Sequence, residues 1–543
     1  MKIHLLSLLF VVNCFSQSNI VNTNEWHFNS NSNGVSLEKW YSENSKETSN
    51  TIIVATLDTQ IDLDHEDLKN QIWINEKEIP NNGIDDDKNG YIDDRNGWNF
   101  IGVGNNNIQA FSNFEFVRFI KKNKDLFQGR DSLKYINTPL YREYKRALKK
   151  YESEYNYYTE YLKAEGILIS AYYPAKDTLK YYFPKEDYTT RQLDSLYQIH
   201  KTNNKTFVER VNNNDPSREF PDLIFYMKMI KKLNFTIEQM ENSSKHKDSI
   251  VKKLLNFDYD DRIRIKNHHL EKGYGNNSLD SHERLKKHNT EVSSIIIANR
   301  NNNKGVKGFH NNIQVMPLII SPFGDEHDED IANAIYYAVD NGARVINMSF
   351  SKEFSLNQKI VTTALQYAED KNVLVVHTSG NASSNIDLTT FYPTDFNYTN
   401  STEIVNNLIT VGSISKRTDS TMVSPFSNYG KNNVDLFAPG EDIYVAIPDN
   451  QYTYDSGTSL AAPMVSGTAA LIWLYYPNLT VQEVKKIILE SGVTIDKMVV
   501  KPGTENELVH FSELCKSGKI LNTYNAMKMA EEMSKKKKNK NID

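Results

Sequence analysis

The sequence predicts an α/β fold built on a doubly wound, mostly parallel sheet with helices on both faces. Segments with strand character alternate with helical segments through the second half of the chain, as expected of a parallel sheet. The strand segments are continuously apolar, as in Thr51–Leu57 and Val373–His377, which is typical of strands buried on both faces. Polar residues follow these two strands directly, at Asp58 and at Ser379–Asn381, where α/β sheets place functional groups.

The elements of this fold are predicted from residue 51 onward. Strands are assigned to short β-branched runs and helices to segments with one apolar face, bounded by residues such as Gly342 and Pro477. After the strand at 51–57, the predicted elements are helices over 288–298, 330–341, 357–370, 461–474, 481–489 and 524–533, and strands over 315–320, 345–350, 373–377, 409–414 and 434–440. Residues 51–104 and 281–530 are therefore assigned to one large domain.

Residues 105–280 differ from their surroundings, because they are rich in Tyr, Lys, Glu and Asn and contain few glycines. Apolar residues and tyrosines recur at helical spacing from Pro139 to Tyr173, and Pro174 marks a predicted break. Further helices are predicted over 191–211 and 220–257. We therefore expect an inserted, all-helical subdomain that lies at the rim of any cleft in the main domain.

Charge and composition narrow the class of protein. The 543-residue chain has a formal net charge of −6, and no basic stripe with interleaved aromatic residues occurs outside its Lys-rich C-terminus. This argues against a nucleic-acid partner. The tail at 531–543 is expected to be disordered and solvated. Cys515 is one of only two cysteines, and without Cys14 the fold has no internal disulfide.

The N-terminus resembles a secretory signal over residues 1–17. Its apolar run, Leu5–Val12, is too short to span a bilayer, and no other segment is predicted to cross a membrane. The preferred interpretation is cleavage near Gln17, with residues 18–50 forming an N-terminal arm of a bacterial protein that is secreted, periplasmic or at the cell surface. The alternative is a lipoprotein signal in which Cys14 carries a lipid anchor.

An acidic loop at residues 81–94 predicts a structural calcium site. Oxygen-bearing residues alternate there, and Gly90 occupies the sixth position, as in the first half of an EF-hand loop. So many carboxylates repel one another unless a cation lies between them. The twelfth-position glutamate is absent, and a merely solvated acidic turn is the alternative. The expected ligands are Asp85, Asp87, Asn89, the carbonyl of Tyr91, and Asp93 or Asp94.

The stretch Asp455–Gly467 combines a turn with the start of a buried helix. Gly457 allows the chain to turn, and Ser459 then stands at the mouth of the apolar run Ala461–Leu474. Free N–H groups and the helix dipole favour negative charge at that place, which suits a nucleophile whose attack creates an oxyanion. Most serines at such a position simply cap the helix, so this stretch alone does not decide between a nucleophile and a helix cap.

Four stretches, taken together and in this order, resemble the subtilisin-like serine proteases, or subtilases. The resemblance covers residues 51–94 and 285–489 and leaves the insertion unmatched. The Asp, His, Ser order along the chain is also that of the family. The matching stretches are Asp58-Thr59 at a strand end, His288–Glu291 at the head of a helix, Gly380-Asn381 at a second strand end, and Gly457–Pro463.

The resemblance implies a subtilisin-like fold and a secreted, calcium-stabilised serine endopeptidase that acts on proteins or peptides. Ser459 would be the nucleophile, His288 its general base, and Asp58 the group that fixes the histidine tautomer and stabilises its charged form. The side-chain amide of Asn381, with the backbone N–H of Ser459, would hold the oxyanion.

The sequence departs from the family pattern around these residues. None of the departures donates an atom to the triad or the oxyanion hole, but Glu291 places a carboxylate within one helical turn of His288. A carboxylate there would raise the imidazole pKa, which predicts reduced or narrowly tuned activity. The departing residues are Gln60, Asn289, Glu291, Ser294 and Met464.

Two other classes of protein compete with the protease. The first is a catalytically weak or inactive subtilase-fold binding or scaffold protein that uses the insertion as its partner surface. The second is an α/β-hydrolase esterase, which the triad order and the lack of Gly-x-Ser-x-Gly around Ser459 disfavour.

Overall fold

A computed structural model describes residues 25–540 of the chain, except for 31, 46, 105, 128–133, 135–136, 216, 266–271, 398–399 and 401. The predicted signal sequence, with Cys14 and Gln17, lies outside the described residues. Within them, the strands are β1 Ile52–Asp58, β2 Trp98–Asn99, β3 Gly102–Val103, β4 Asn107–Ile108, β5 Ile313–Ile319, β6 Val345–Met348, β7 Leu374–Thr378, β8 Phe396–Asn397, β9 Thr402–Glu403, β10 Leu408–Ile414, β11 Leu436–Pro439, β12 Ile443–Ile447, β13 Gln451–Asp455, β14 Val493–Thr494, β15 Met498–Val500, β16 Leu508–His510 and β17 Lys519–Ile520.

The helices surround these strands and also fill the insertion. In the described part of the chain they are α1 Leu37–Glu43, α2 Glu115–Phe127, α3 Pro139–Leu179, α4 Thr190–His200, α5 Phe207–Asn212, α6 Phe220–Leu233, α7 Ile237–Ser249, α8 Lys287–Ile297, α9 Asp328–Asp340, α10 Gln358–Asp370, α11 Thr458–Tyr475, α12 Val481–Ser491 and α13 Thr523–Lys540. A π-helical turn, Ile250–Leu254, continues α7.

Nine strands form the central sheet in the order β14-β17-β11-β10-β7-β6-β1-β5-β2. Every neighbouring pair is parallel except β14 with β17 at one edge. The carboxyl ends of the parallel strands therefore meet along one edge of the sheet, where functional groups are expected. The predicted α/β fold class is confirmed.

Helices cover both faces of the sheet and create two hydrophobic cores. In β1, Val54 packs into the core that holds α8 and α11, whereas Ala55 and Leu57 pack into the core that holds α9 and α10. Side chains alternate between the two faces of a strand, so a strand covered on both faces needs apolar residues throughout. This accounts for the uninterrupted apolar run in β1.

The insertion contains α2–α7 and has two clusters of buried side chains of its own. One cluster joins α4, α6 and α7 to the C-terminal part of α3, through residues such as Leu168, Leu193 and Tyr226. The other joins α2 and the N-terminal part of α3 to Phe354, which belongs to the sheet-containing part of the protein. The insertion thus has its own core and is also packed against the rest of the molecule.

Two helix predictions in the insertion need correction. The break predicted at Pro174 does not occur, because α3 continues through it to Leu179 while Ala171 and Ala175 pack into the neighbouring core. Tertiary packing offsets the hydrogen bond that proline removes. Conversely, each of the helices predicted over 191–211 and 220–257 is divided into two helices. Capping boxes at Thr206 and Thr236 begin the second helix of each pair, α5 and α7.

Both ends of the described chain join the main core. Phe28, Val35 and Leu37 of the predicted N-terminal arm are fully buried in the core that contains α11. The Lys-rich tail, expected to be disordered, is helical as far as Lys540, because Met533 packs against this core and Lys537 forms a 2.7 Å ion pair with Glu483.

Among the described helices, α11 alone is long and apolar enough to cross a membrane. In this fold 89% of that segment is buried inside the protein, as befits the central helix of a core.

Candidate active site

Asp58 and His288 form a hydrogen-bonded pair at the carboxyl edge of the sheet. Asp58 ends β1 and is only 2% exposed, and its Oδ1 accepts hydrogen bonds from the Thr59 N–H at 2.6 Å and from His288 Nδ1 at 2.7 Å. His288 is the second residue of α8. With Nδ1–H donated to Asp58, the neutral imidazole carries its free lone pair on Nε2, which suits a general base.

The charges around His288 favour its protonated form. Burial opposes the charge, but the Asp58 carboxylate, followed by Glu291 and Asp455, raises the pKa of His288 to about 9. Glu291 is 3% exposed and makes a 3.1 Å ion pair with Lys287. Burial and the nearby Asp455 raise the pKa of Glu291 to about 7. The carboxylate identified as a departure from the family pattern therefore acts on the histidine in the expected direction.

Ser459 is the second residue of α11 and lines the same cleft as Asp58 and His288. Its Oγ donates a hydrogen bond to the backbone carbonyl of Ser349 at 3.0 Å. Within the described residues, no hydrogen bond joins this Oγ to the His288 ring. The structure thus brings all three predicted triad residues to one cleft and forms the Asp–His bond, but not the Ser–His bond. Hydrogen bonds between catalytic groups often become short only when substrate is bound.

Asn381 lies beside the serine, beyond the carboxyl end of β7. Its Oδ1 accepts hydrogen bonds from the backbone N–H and the hydroxyl of Thr458, at 2.9 and 2.8 Å. These two donors fix the orientation of the amide. The Nδ2 group makes no hydrogen bond within the described residues, so both of its protons are available to a ligand in the cleft.

The backbone before Asn381 requires glycine. Gly380 has a φ of 101°, and a Cβ there would lie 2.5 Å from Asn428 Nδ2 and 2.7 Å from Ser351 Oγ. Other residues are strained at such a φ and would also collide with both side chains. The Gly-Asn pair in the sequence therefore encodes the turn that delivers the amide to the cleft.

The segment Asn347–Phe350, which resembles the subtilase strand that takes up substrate by strand addition, does not form an edge of the sheet. Its β-strand part, β6, is hydrogen-bonded on both sides, to β1 and to β7. An internal strand has no free ladder groups for a peptide. Only the residues beyond its end, from Ser349 onward, line the cleft.

The cleft has a volume of about 580 Å³ and is bounded by both parts of the protein. Lys150, Glu154 and Tyr158 of α3 form one wall, opposite the residues from the sheet edge. Lys150 holds this wall in place through a 2.8 Å ion pair with Glu353. The insertion therefore forms part of the cleft, as expected, although its sequence gave no indication of which helix does so.

The acidic loop brings together only some of its predicted calcium ligands. Oxygens of Asp85 and Asp87 lie within 4.8 Å of each other and of Glu78, a residue that the loop pattern did not include. Glu78 precedes the loop, and no fixed spacing links it to the EF-hand pattern. One of its buried carboxylate oxygens, Oε2, has no hydrogen-bond partner within the described residues.

Hydrogen bonds within the protein engage side-chain oxygens throughout the loop, including both oxygens of Asp85 and both of Asp87. Asn89 accepts from the Tyr91 N–H and donates to Asp94 Oδ2, which also accepts from the Tyr337 hydroxyl. Asp93 instead accepts from backbone N–H groups at the start of the loop. Hydrogen bonding therefore does not separate ligands from non-ligands in this loop. Among the described carboxylates, those whose oxygens converge are Glu78, Asp85 and Asp87.

Comparison with known proteins agrees with this architecture. The sequence model described as the Subtilase family matches residues 49–513. The chain belongs to the subtilase family. Its match spans the insertion, the helix that carries Ser459 and every strand of the nine-stranded sheet except β17.

Individual relatives of this subtilase match only in part. A thermophilic serine proteinase of Bacillus sp. (strain AK1) is 37% identical over 189 residues, 35% of this chain and 43% of the relative. A cell wall-associated protease of Bacillus subtilis (strain 168) is 32% identical over 234 residues, 43% of this chain and 24% of the relative. The chain thus spans less than half the length of these relatives.

Solved structures of proteases also resemble the subtilase. The prenylagaramide maturation protease PagA is 26% identical, with a TM-score of 0.36, over 45% of this chain and 82% of PagA. A protease from Pseudoalteromonas arctica PAMC 21717 is 25% identical, with a TM-score of 0.36, over 47% of this chain and 74% of that protease.

Proposed function

We propose that this subtilase is a secreted serine endopeptidase that hydrolyses peptide bonds through Asp58, His288 and Ser459. The observation that carries the proposal is the 2.7 Å bond between Asp58 and His288 in the cleft that also contains Ser459. A buried carboxylate paired with a partly exposed imidazole next to a hydroxyl is the arrangement that activates a serine.

Catalysis begins when a peptide carbonyl enters the cleft. The Ser459 hydroxyl leaves the Ser349 carbonyl, turns toward His288 and transfers its proton to Nε2 as Oγ attacks the substrate carbon. Asp58 stabilises the resulting imidazolium through Nδ1–H. His288 then gives the proton to the leaving amine, and a water attacks the acyl-enzyme in the same way.

The negative charge on the attacked oxygen is held by two donors. These are Asn381 Nδ2, whose orientation Thr458 fixes, and the backbone N–H of Ser459 near the start of α11. Such donors stabilise the transition state more than the ground state, and in subtilisin loss of the equivalent side chain costs about 2.7–4 kcal/mol.

We also propose a structural calcium ion held by Glu78, Asp85 and Asp87. Burial raises the pKa of Glu78, and the Asp94 and Asp87 charges act in the same direction. A cation among these oxygens would offset the repulsion between the carboxylates. It would also be coordinated by the Glu78 oxygen that has no hydrogen-bond partner among the described residues. Bound calcium would supply charge neutralisation and rigidity to the loop and takes no part in the chemistry.

Substrates and location follow from the same proposal. The substrates are proteins or peptides outside the cytoplasm. The 1–17 segment directs export of the enzyme and is cleaved in the process. Mass determination of the mature N-terminus separates cleavage near Gln17 from lipidation at Cys14.

A catalytically weak or inactive binding protein is the second candidate. Two features favour it. Ser459 Oγ donates its hydrogen bond to the Ser349 carbonyl and not to His288. The raised pKa of His288 also leaves the imidazole largely protonated at neutral pH. A protonated imidazole cannot accept the serine proton.

Covalent labelling distinguishes the two candidates. The protease predicts that a fluorophosphonate modifies Ser459 in calcium-loaded protein, faster at pH 9 than at pH 7, and that Ser459→Ala abolishes the modification. Ser456→Ala, three residues away and exposed, is the matched control and should label normally. Absence of labelling across this pH range would favour the binding protein.

A further inference from the structure

The floor of the cleft carries two carboxylates that the proposed chemistry does not use. Asp325 and Glu326 lie in the loop that follows β5, and both line the cleft that contains Ser459. Glu326 is only 6% exposed, and its Oε1 accepts a hydrogen bond from the Ser321 hydroxyl at 2.7 Å. Its other oxygen accepts no hydrogen bond from another described residue.

The two cations next to these carboxylates are already paired, and one of them, Lys352, itself lines the cleft. Arg118 pairs with Glu115, and with Asp261 at 3.4 Å. Lys352, which has no exposed surface, pairs with Asp328 at 2.8 Å and with Glu115 at 3.2 Å. Two cations thus serve three carboxylates, before Asp325 and Glu326 are considered.

Asp325 and Glu326 make no ion pair with another described residue. The nearby Lys352 donates to the backbone carbonyl of Glu326, at 2.7 Å, and not to either carboxylate. Burial raises the pKa of both, in the case of Glu326 to about 7, and this rise prevails over the opposing effect of Lys352 on each group. His327 adds no charge to compensate, because burial and Arg118 hold its pKa well below the usual range. A positive group in the cleft would therefore be stabilised by both carboxylates.

The wall above these carboxylates is aromatic. Phe114, Phe116, Phe350 and Phe354 all line the cleft. Phe354 is only 1% exposed, and the Arg146 guanidinium already lies 3.7 Å from the centre of its ring. The rings open to a ligand are therefore the half-buried Phe114 and Phe350. Lysine and arginine pack their methylene groups and their charge against such rings.

The cation nearest the rim does not neutralise the floor. Lys150 on α3 is engaged by Glu353 at 2.8 Å and by Glu154 at 3.4 Å. Arg146 also pairs with Glu353, at 3.4 Å, and with Glu143. Two cations at the rim therefore serve three carboxylates. The balance of charge at the rim, as at the floor, is negative.

We propose that the acidic floor and aromatic wall bind a lysine or arginine side chain of the substrate, within four residues of the scissile bond. This inference rests on the proposed endopeptidase function, and it assigns Asp325 and Glu326 as specificity-determining residues. The carboxylates contact the cationic head and the phenylalanine rings hold its stem. Peptides that lack a basic residue in this window are poor substrates.

The test compares matched peptides that carry arginine or norleucine at each of the four positions on either side of the cleaved bond. At one position, arginine should raise kcat/KM at least about tenfold over norleucine, since hydrogen bonds to charged groups contribute that much. Glu326→Gln, which can still accept from Ser321, should reduce the ratio about tenfold. Glu160→Gln, on the exposed face of α3 and outside the cleft, should leave the ratio unchanged.

A binding measurement keeps the inference testable if turnover is weak. In the full-length Ser459→Ala protein, the arginine peptide should bind about tenfold more tightly than its norleucine counterpart, and Glu326→Gln should remove this difference. Equal affinities and equal kcat/KM values at every position would overturn the inference. Labelling of Ser459 with cleavage of the neutral peptides would then leave the endopeptidase standing, whereas preferential binding without labelling would retain the basic site and reject the endopeptidase.

Discussion

At the scale of single residues, the protonation of His288 controls the proposed chemistry. Asp58 provides the required hydrogen bond, but Glu291 and Asp455 add negative charge that favours the imidazolium. The same carboxylates that stabilise the charged transition state also hold the free enzyme in its protonated form. Activity is therefore expected to rise with pH, toward the raised pKa of His288 near 9.

Glu291→Gln should shift the acid limb of the kcat/KM profile to lower pH. Removing this carboxylate lowers the pKa of His288, so a larger fraction of the imidazole is neutral at pH 7 and activity there rises. The effect is largest above pH 7, where Glu291 itself is ionised. The measurement is kcat/KM against pH on a neutral peptide.

Glu283→Gln is the control for this substitution, because Glu283 stands just before the same helix with 67% of its side chain exposed. It should leave the profile in place. An acid limb that moves equally in both variants, or in neither, would remove Glu291 from the account of His288.

At the scale of elements, α3 is the helix that joins the insertion to the cleft. Its N-terminal part is held by Arg146, which stacks on Phe354 and donates to the Glu353 carbonyl at 2.6 Å, and by Lys150. Its C-terminal part packs in the separate core of the insertion. The two halves of one helix therefore depend on different partners.

Arg146→Ala should loosen the cleft end of α3 while leaving its far end ordered. The lost stacking is worth about 0.5–1 kcal/mol, and hydrogen exchange over residues 139–158 should accelerate by up to roughly fivefold. Exchange in the rest of α3 should not change. Mass-spectrometric hydrogen exchange measures both regions in one experiment.

Lys163→Ala is the matched control, since Lys163 lies on the same helix and pairs only with the exposed Glu160 among the described residues. It should not alter exchange at 139–158. Equal protection in Arg146→Ala and the parent protein would show that the helix is held at the cleft by other contacts.

At the scale of the whole molecule, stability is expected to depend on the acidic loop. The sole cysteine within the described residues, Cys515, is free and buried, so no disulfide restrains this part of the chain. Just before the loop, Glu78 has a buried carboxylate oxygen without a hydrogen-bond partner among the described residues, next to Asp85 and Asp87. A cation bound there would stabilise the folded state and not the unfolded chain, in which these carboxylates are far apart.

Chelation should lower the Tm by several degrees. At a calcium concentration of 100 times Kd, binding contributes about 2.7 kcal/mol, and each kcal/mol shifts the Tm of a large domain by about 2–4 °C. Differential scanning calorimetry with calcium and with chelator measures the difference. Asp85→Asn should abolish most of it.

Glu76→Gln removes a neighbouring exposed carboxylate and should retain the full response to chelation. A Tm that is the same with and without chelator in the parent protein would exclude calcium at this loop.

The sequence by itself determined the parallel α/β sheet and the residues that stand at its strand ends. These are local properties: an apolar run specifies a doubly buried strand, and a glycine such as Gly380 specifies the turn that follows it. Asp58, His288, Asn381 and Ser459 each lie at the boundary of such an element, and the resemblance of their four stretches to the subtilases assigned their roles.

Only the tertiary structure decided which distant groups meet. Carboxylate oxygens of Glu78 and Asp85 lie close together, Lys150 forms an ion pair with Glu353, and Ser459 donates a hydrogen bond to the Ser349 carbonyl. No spacing along the chain relates the members of these pairs. The continuation of α3 through Pro174 was likewise decided by packing. The physical reason is that the local helix preferences of most residues differ by less than about 1 kcal/mol, whereas burial and charge pairing depend on partners that folding alone brings together.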